Sequence, residues 1–350
     1  VAVGSDGDGP VVLAAAWQPA LEAVLAAPLS LVIGEIDAGK TTLVSGLANA
    51  LLARGLTVGI VDADLGQSEI GPPTTVGLGR VGRPLTRMGD TELVAMHFVG
   101  VTTPAAAMAG ALVATRRMVD RARREHVARI LVDTSGLVTG EVGRALKQSK
   151  IDLLDPDLVV ALQRGRECEP ILVAYGGAVR PAVLRLPALG IRRSRTQDAR
   201  RRFRASALLR YFGAARSVTL DLTRVILRQP PLFTGTPIEA GELAALADSL
   251  GRALLWGERR DRDAVLVAAD RLSETEVHQA ARLLAAGPVV HYALPDLEGM
   301  LAGLEGRDRE TLGLAVVQRL DVAGRAVTVD TPVVAAAVAA MAIARERYPG

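Results

Sequence analysis

The sequence is short of three residue types, and each shortage narrows what the chain can do. It has one cysteine, Cys168, so no intrachain disulfide can form and a cysteine-built zinc site is not expected. A reducing, cytoplasmic setting fits. Its aromatic residues are two Trp, four Tyr and four Phe, 3% of the chain, which leaves little material for the base-stacking platforms of single-strand binders. Lysine is the third. Of 41 basic residues only Lys40, Lys147 and Lys150 are lysine, and all the others are arginine. With 38 acidic residues the formal net charge is only +3, so the arginine bias alone does not indicate nucleic acid.

What remains is an ordinary globular composition, 49% hydrophobic and 23% charged, without the signature of disorder. Its 350 residues suffice for one large or two medium domains with a buried core. Asp6 and Asp8 stand where a secretory signal needs basic charge, so export is not expected. Leu93–Thr115 is an uncharged run long enough to raise the question of a membrane span. It carries His97, Gly100, Pro104 and Gly110, and reads instead as a strand, a turn and a buried helix.

From residue 28 onward apolar runs alternate with amphipathic stretches, the rhythm of a parallel α/β sheet. Strands are expected at Leu29–Gly34, Thr57–Asp62, Leu93–Val99, Arg129–Asp133, Leu158–Gln163 and Ala182–Leu186. Helices are expected at Trp17–Ala26 and at Thr41–Arg54, the latter closed by Gly55. After Gly213 the texture changes to short strands, with Ser217–Leu222 first and a hairpin formed by Gly313–Leu320 and Ala326–Val329. The expected fold class is therefore α/β: a P-loop NTPase domain with a central, mostly parallel sheet over residues 1–213, and a smaller, β-rich α+β domain over 214–350. His278 and His291 read as surface or packing residues, since no second ligand lies at metal-binding spacing.

Gly34-Glu35-Ile36-Asp37-Ala38-Gly39-Lys40-Thr41 fits the pattern GxxxxGK[ST] between a strand and a helix. Such a loop turns successive backbone N–H groups onto phosphate oxygens, and the helix N-terminus adds partial positive charge. Lys40 supplies a point charge for the β- and γ-phosphates, and Thr41 a hydroxyl for Mg²⁺. Two further strands end in acids, Val61-Asp62-Ala63-Asp64 and Val132-Asp133-Thr134-Ser135-Gly136, the second in the manner of a Walker B element. Carboxylates at the C-terminal edge of such a sheet face the ligand crevice. Asp133 is the candidate for orienting Mg²⁺, and Asp64 for accepting a proton from an attacking hydroxyl. Asp62 reads as a strand-end cap.

The positive charge of the chain is concentrated. Arg192–Arg204 holds seven arginines and one aspartate, a local charge of +6 that leaves −3 for everything else. Arg200 and Arg204 are one helical turn apart. With Arg195 they form a candidate lid, at about residues 190–212, whose guanidinium groups close over a transferring phosphoryl group.

Together these motifs resemble the polynucleotide 5′-hydroxyl kinase family, whose eukaryotic members include the RNA kinase associated with pre-mRNA cleavage and the kinases of ribosomal RNA processing. The resemblance rests on Gly34–Thr42, Asp62–Gln67, Phe98–Pro104 (FVGVTTP), Asp133–Gly136 with Gly140, the arginine segment running into Tyr211-Phe212-Gly213, and Leu301–Leu304, Leu312–Asp321 (LGLAVVQRLD) and Thr331-Pro332. It implies ATP on Gly34, Asp37, Ala38, Gly39, Lys40, Thr41 and Thr42, and Asp64 as general base for a 5′-hydroxyl. It further implies Arg195, Arg200 and Arg204 as lid arginines, Mg²⁺ held through Thr41 and Asp133, and a substrate clasp at Thr134, Gly136 and Leu137 with Gln67. Where the family often has tryptophan, position 137 is leucine, which offers no aromatic face to a terminal base; backbone-dominated binding and activity on both RNA and DNA are expected. The phosphate loop begins early in the chain, so a compact bacterial or archaeal version is expected, with RNA or DNA bearing an accessible 5′-hydroxyl as partner. Neither a membrane nor an obligate protein partner is implied.

Two other readings share part of this evidence. A switch ATPase or GTPase of the septum-positioning or metal-insertion type has a similar VDADLG strand end, but its usual second lysine is absent from Gly34-Glu35-Ile36. The intact Lys40, Asp64 and lid arginines argue against the other, a nucleotide-bound scaffold without turnover.

Overall fold

The computed structural model describes residues 9–189 and 196–349. Two compact units divide the chain, Val1–Leu208 and Leu209–Gly350. The change of texture near residue 213 falls slightly later than this division, because the helix Gln197–Tyr211 runs through it. The last residue of that helix serves the second unit: the Leu314 N–H donates to Tyr211 Oη at 2.8 Å.

The first unit is built on a seven-stranded sheet: β1 (Leu29–Gly34), β2 (Val58–Ala63), β3 (Thr75–Arg80), β4 (Glu92–Phe98), β5 (Arg129–Thr134), β6 (Leu158–Gln163) and β7 (Ala182–Pro187). The spatial order is β4-β3-β2-β5-β1-β6-β7. The five strands from β2 to β7 are parallel, and β3 and β4 add an antiparallel edge. Helices cover both faces, which is why β1 and β2 are buried along their whole length and read as unbroken apolar runs. On one face pack α1 (Gln18–Ala26) and α2 (Lys40–Leu52), with Leu21, Val24, Leu43 and Leu47. On the other pack α3 (Met108–Arg124), α4 (Gly140–Leu154) and α5 (Glu169–Leu172), with Met118, Val119, Ile151 and Ile171. The uncharged run from Leu93 becomes β4, a turn and the start of α3, and no helix among the described residues is long and apolar enough to cross a membrane.

Strand β3 escapes the sequence reading because Gly77 and Gly79 look like loop residues. Their lack of a side chain is a packing requirement: a Cβ at Gly77 would lie 1.9 Å from the Ile70 carbonyl oxygen, so the segment after β2 crosses directly over this strand.

The second unit is β-rich. Its six-stranded sheet comprises β8 (Arg216–Asp221), β9 (Ile226–Gln229), β14 (Met300–Glu305), β15 (Thr311–Asp321), β16 (Ala326–Thr331) and β17 (Ala340–Arg347). A four-stranded sheet holds β10 (Thr236–Pro237), β11 (Leu254–Arg259), β12 (Ala264–Ala268) and β13 (Val289–Ala293), with helices α7 (Ala240–Leu250) and α8 (Glu274–Leu283) between its strands in sequence. The expected hairpin is the antiparallel pair β15–β16.

Candidate active site

The parallel strands β1, β2 and β5 end side by side, and each delivers part of one constellation. The loop leaving β1 enters α2 through Gly39, whose left-handed φ of 97° suits glycine. Lys40 opens the helix and is only 8% exposed; its Nζ donates to the Glu35 carbonyl oxygen at 2.8 Å, so the ammonium lies across the loop on the loop's own backbone. Arg164, just past β6, donates to the Asp37 carbonyl oxygen at 2.7 Å and lies 3.9 Å from the Glu35 carboxylate. It straps a loop in which Asp37 itself holds a left-handed φ of 57°. Ala38 is buried, and Thr42 is half-buried on the first turn of α2.

Thr41 joins this loop to β5: its hydroxyl donates to Asp133 Oδ2 at 2.6 Å. The other oxygen, Asp133 Oδ1, is buried without a hydrogen-bond partner among the described residues. Burial raises the Asp133 carboxyl to about 6, with Asp64 and Glu69 adding to the rise while Lys40 and Thr41 oppose it.

Asp62 lies beside Asp133 in the parallel register of β2 and β5. It is a cap rather than a solvent-facing acid. Its two oxygens accept from the backbone N–H groups of Asp64 (3.1 Å), Glu69 (2.7 Å) and Ile70 (3.1 Å), and from the Ser68 hydroxyl (3.2 Å). These bonds fold the loop after β2 back onto the strand. Burial pushes the Asp62 carboxyl up to about 8, helped by Asp133 and Asp64 and opposed by the Asp64 and Glu69 amides. Asp64 stands at the turn of that loop, half-buried, with Oδ1 accepting from the N–H groups of Gly66 and Gln67 at 3.1 and 3.2 Å.

After β5, Thr134 is buried and its hydroxyl donates to the Val32 carbonyl oxygen at 2.8 Å. Gly136 rests on the phosphate loop: a Cβ there would meet the Ile36 backbone nitrogen at 2.5 Å. Leu137 follows, half-buried. Arg200 and Arg204 both lie on α6 (Gln197–Tyr211), neither ion-paired with a described carboxylate, and Arg200 Nε is buried without a hydrogen-bond partner among the described residues. Arg195 lies outside the described residues.

Residues 34–214, which carry this constellation and the arginine helix, match the family described as mRNA cleavage and polyadenylation factor CLP1 P-loop. The chain belongs to that family. A polyribonucleotide 5′-hydroxyl-kinase of Pyrococcus furiosus is 30% identical to it over 303 residues, 87% of this chain and 82% of the relative. One of Methanocaldococcus jannaschii is 28% identical over 87% of this chain and 82% of the relative. The polyribonucleotide 5′-hydroxyl-kinase Clp1 of Xenopus tropicalis is 30% identical over 54% of this chain and 45% of its own length. Among solved structures, wild-type Clp1p in complex with Pcf11p shares the fold, with a TM-score of 0.59 at 12% identity over 91% of this chain and 74% of that one.

The structure adds residues to this CLP1-family site that motif spacing does not single out. Arg164 is one. The others are the two remaining lysines, both on α4. Lys147 is fully buried and donates to Thr134 Oγ1 at 2.9 Å and to the Ser135 carbonyl oxygen at 2.6 Å. Burial holds its ammonium well below the ordinary lysine range, and Lys150 and Lys40 push the same way. Lys150, also buried, is pulled down to about 8 by burial while Asp64, Asp133 and Asp62 pull it back up. All three lysines of the chain thus surround one cluster of carboxylates. The signal available in the sequence was their scarcity.

Proposed function

We propose that this chain is an ATP-dependent polynucleotide 5′-hydroxyl kinase acting in the cytoplasm on the accessible 5′ ends of RNA and of DNA. The observation that carries the reading is the convergence of Lys40, Asp64 and the Thr41–Asp133 pair at the ends of three adjacent strands. In-line phosphoryl transfer needs positioning and charge stabilisation more than covalent chemistry. Backbone N–H groups of Gly34–Thr42 and the Lys40 ammonium serve the phosphates of ATP. Asp64 takes the proton of the 5′-hydroxyl. Gln67, Thr134, Gly136 and Leu137 receive the polynucleotide end, and Arg195, Arg200 and Arg204 close over the transferring group.

The donor set fits Mg²⁺. A threonine hydroxyl beside a buried carboxylate oxygen that lacks a partner is the hard, two-ligand arrangement that a metal shared with nucleotide phosphates requires. Mg²⁺ held by Thr41 and Asp133 would supply charge neutralisation between the phosphates. Protein ligation then depends on an ionised Asp133, whose carboxyl is raised above its ordinary range to about 6. In the nucleotide-free protein, acid protonates Asp133 as pH falls through 6, and this removes the metal-binding form. Mg²⁺·ATP affinity is expected to fall about tenfold per pH unit below 6, read as loss of the ATP-induced rise in Tm between pH 7.5 and pH 5. An undiminished rise at pH 5 would remove Asp133 from the metal site.

The test of the activity is transfer of labelled γ-phosphate from ATP to matched single-stranded RNA and DNA with 5′-hydroxyl ends. Labelling of both is expected, because Leu137 and the few aromatics leave binding to the backbone. Failure to label either, with ATP bound and Mg²⁺ present, overturns the reading, as does hydrolysis that ignores polynucleotide. Arg204→Lys is expected to lower kcat about 10- to 100-fold with ATP affinity within about threefold, since lysine keeps the charge but not the planar fork. An unchanged kcat takes Arg204 off the lid.

A further inference from the structure

Lys147 has no place in the chemistry set out above, yet it is a fully buried lysine in a chain that otherwise uses arginine almost everywhere. Burying a lysine amine, charged or neutral, is costly unless hydrogen-bond acceptors repay it. Here the repayment comes from one short segment, the loop after β5, through Thr134 Oγ1 at 2.9 Å and the Ser135 carbonyl oxygen at 2.6 Å.

These two bonds fix the loop in a particular way. Thr134 Oγ1 accepts from Lys147 while its own proton goes to the Val32 carbonyl oxygen, so its rotamer is locked between β1 and α4. In a trans peptide the carbonyl and the following N–H point in opposite directions. Drawing the Ser135 carbonyl to Lys147 therefore turns the Gly136 N–H away from α4. Gly136 in turn lies flat against the backbone of Ile36 in the phosphate loop, with no room for a side chain. One polar atom of this held loop is unspent: Ser135 Oγ is buried without a hydrogen-bond partner among the described residues. Such an orphan marks a place prepared for a polar ligand.

We propose that Lys147 is a positioning residue for the acceptor strand: it sets the Thr134–Gly136 loop against the phosphate loop in the shape that receives the 5′ end of the polynucleotide. This rests on the kinase reading. The rival role is purely structural, with Lys147 filling a hole in the core under α4.

The test is the full chain carrying Lys147→Met, which keeps the volume and removes the donor, assayed at varied ATP and varied 5′-hydroxyl oligonucleotide. A positioning role raises the oligonucleotide KM and lowers kcat together, for a loss of about 10- to 100-fold in kcat/KM for the oligonucleotide, while KM for ATP stays within about twofold. Equal shifts in both KM values, or none in either, overturn the proposal. Should Lys147→Met fold poorly, Lys147→Gln and Lys147→Leu carry the same test. Glutamine keeps N–H donors near Thr134 Oγ1 and the Ser135 carbonyl and is expected to hold the oligonucleotide KM closer to wild type; leucine removes them and is expected to reproduce the selective rise. Equal behaviour of the two overturns the proposal. A wild-type protein that phosphorylates no 5′-hydroxyl acceptor overturns the kinase reading and this inference with it, whereas an active wild type with an unaffected oligonucleotide KM in Lys147→Met and in Lys147→Leu overturns this inference alone.

Discussion

Asp64→Asn is expected to lower kcat about 10³-fold while leaving Tm within a few degrees and both KM values within about threefold. The separation follows from how the residue is held. Asp64 Oδ1 accepts from the N–H groups of Gly66 and Gln67, and an asparagine carbonyl oxygen can accept the same two bonds. The loop itself is folded by Asp62, which grips the backbone of Asp64, Glu69 and Ile70, so its shape does not depend on charge at position 64. What asparagine lacks is a basic oxygen to take the proton of the attacking hydroxyl. Single-turnover rates with saturating ATP and oligonucleotide read the effect directly. A loss of less than tenfold would mean that the proton leaves by another route and would shift attention to Asp133, the other carboxylate at the end of an adjacent strand.

The parts of this architecture that were legible beforehand are those whose signal is local. A parallel strand buried on both faces announces itself as an apolar run, as β1 and β6 do, and a phosphate loop is a contiguous motif because its geometry is made by consecutive residues. Strand β3 was not legible, since the reason for Gly77 is a carbonyl of Ile70 that only the fold brings close. Lys147 and Lys150 were equally hidden. They sit on a helix whose other residues read as ordinary, and their partners lie on other elements, Thr134 and Ser135 at the end of β5 for one and the carboxylates of β2 and β5 for the other. Arg164 is one arginine among many, and its contact with the Asp37 carbonyl joins segments far apart in sequence, the end of β6 and the loop after the neighbouring strand β1. A motif search finds groups that bind ligand directly. It does not find the residues that hold those groups.

Lys40→Ala is expected to have the largest effect of any single substitution, a fall in kcat of about 10³-fold or more, on the order of 4 kcal/mol of transition-state stabilisation. The fold should survive, because the loop keeps its Arg164 strap on Asp37 and its Thr41–Asp133 tie to β5; only the Glu35 carbonyl loses a donor. A second consequence sets this variant apart from a generic loss of positive charge. The Lys40 ammonium is the largest influence holding the Asp133 carboxyl down against burial. Without it that carboxyl rises further above 6, so the acid limb of Mg²⁺·ATP binding is expected to move to higher pH, measurable as the midpoint of the ATP-induced Tm shift against pH. Lys40→Arg supplies the decisive comparison. It restores the charge, but a planar fork does not fit a site that is 8% exposed and shaped to a single ammonium on the Glu35 carbonyl. Turnover is therefore expected to stay below about a tenth of wild type, even as the pH midpoint returns toward its original place. Recovery of both would mean that charge alone matters at this position, and that lysine persists there, among 38 arginines, for no chemical reason.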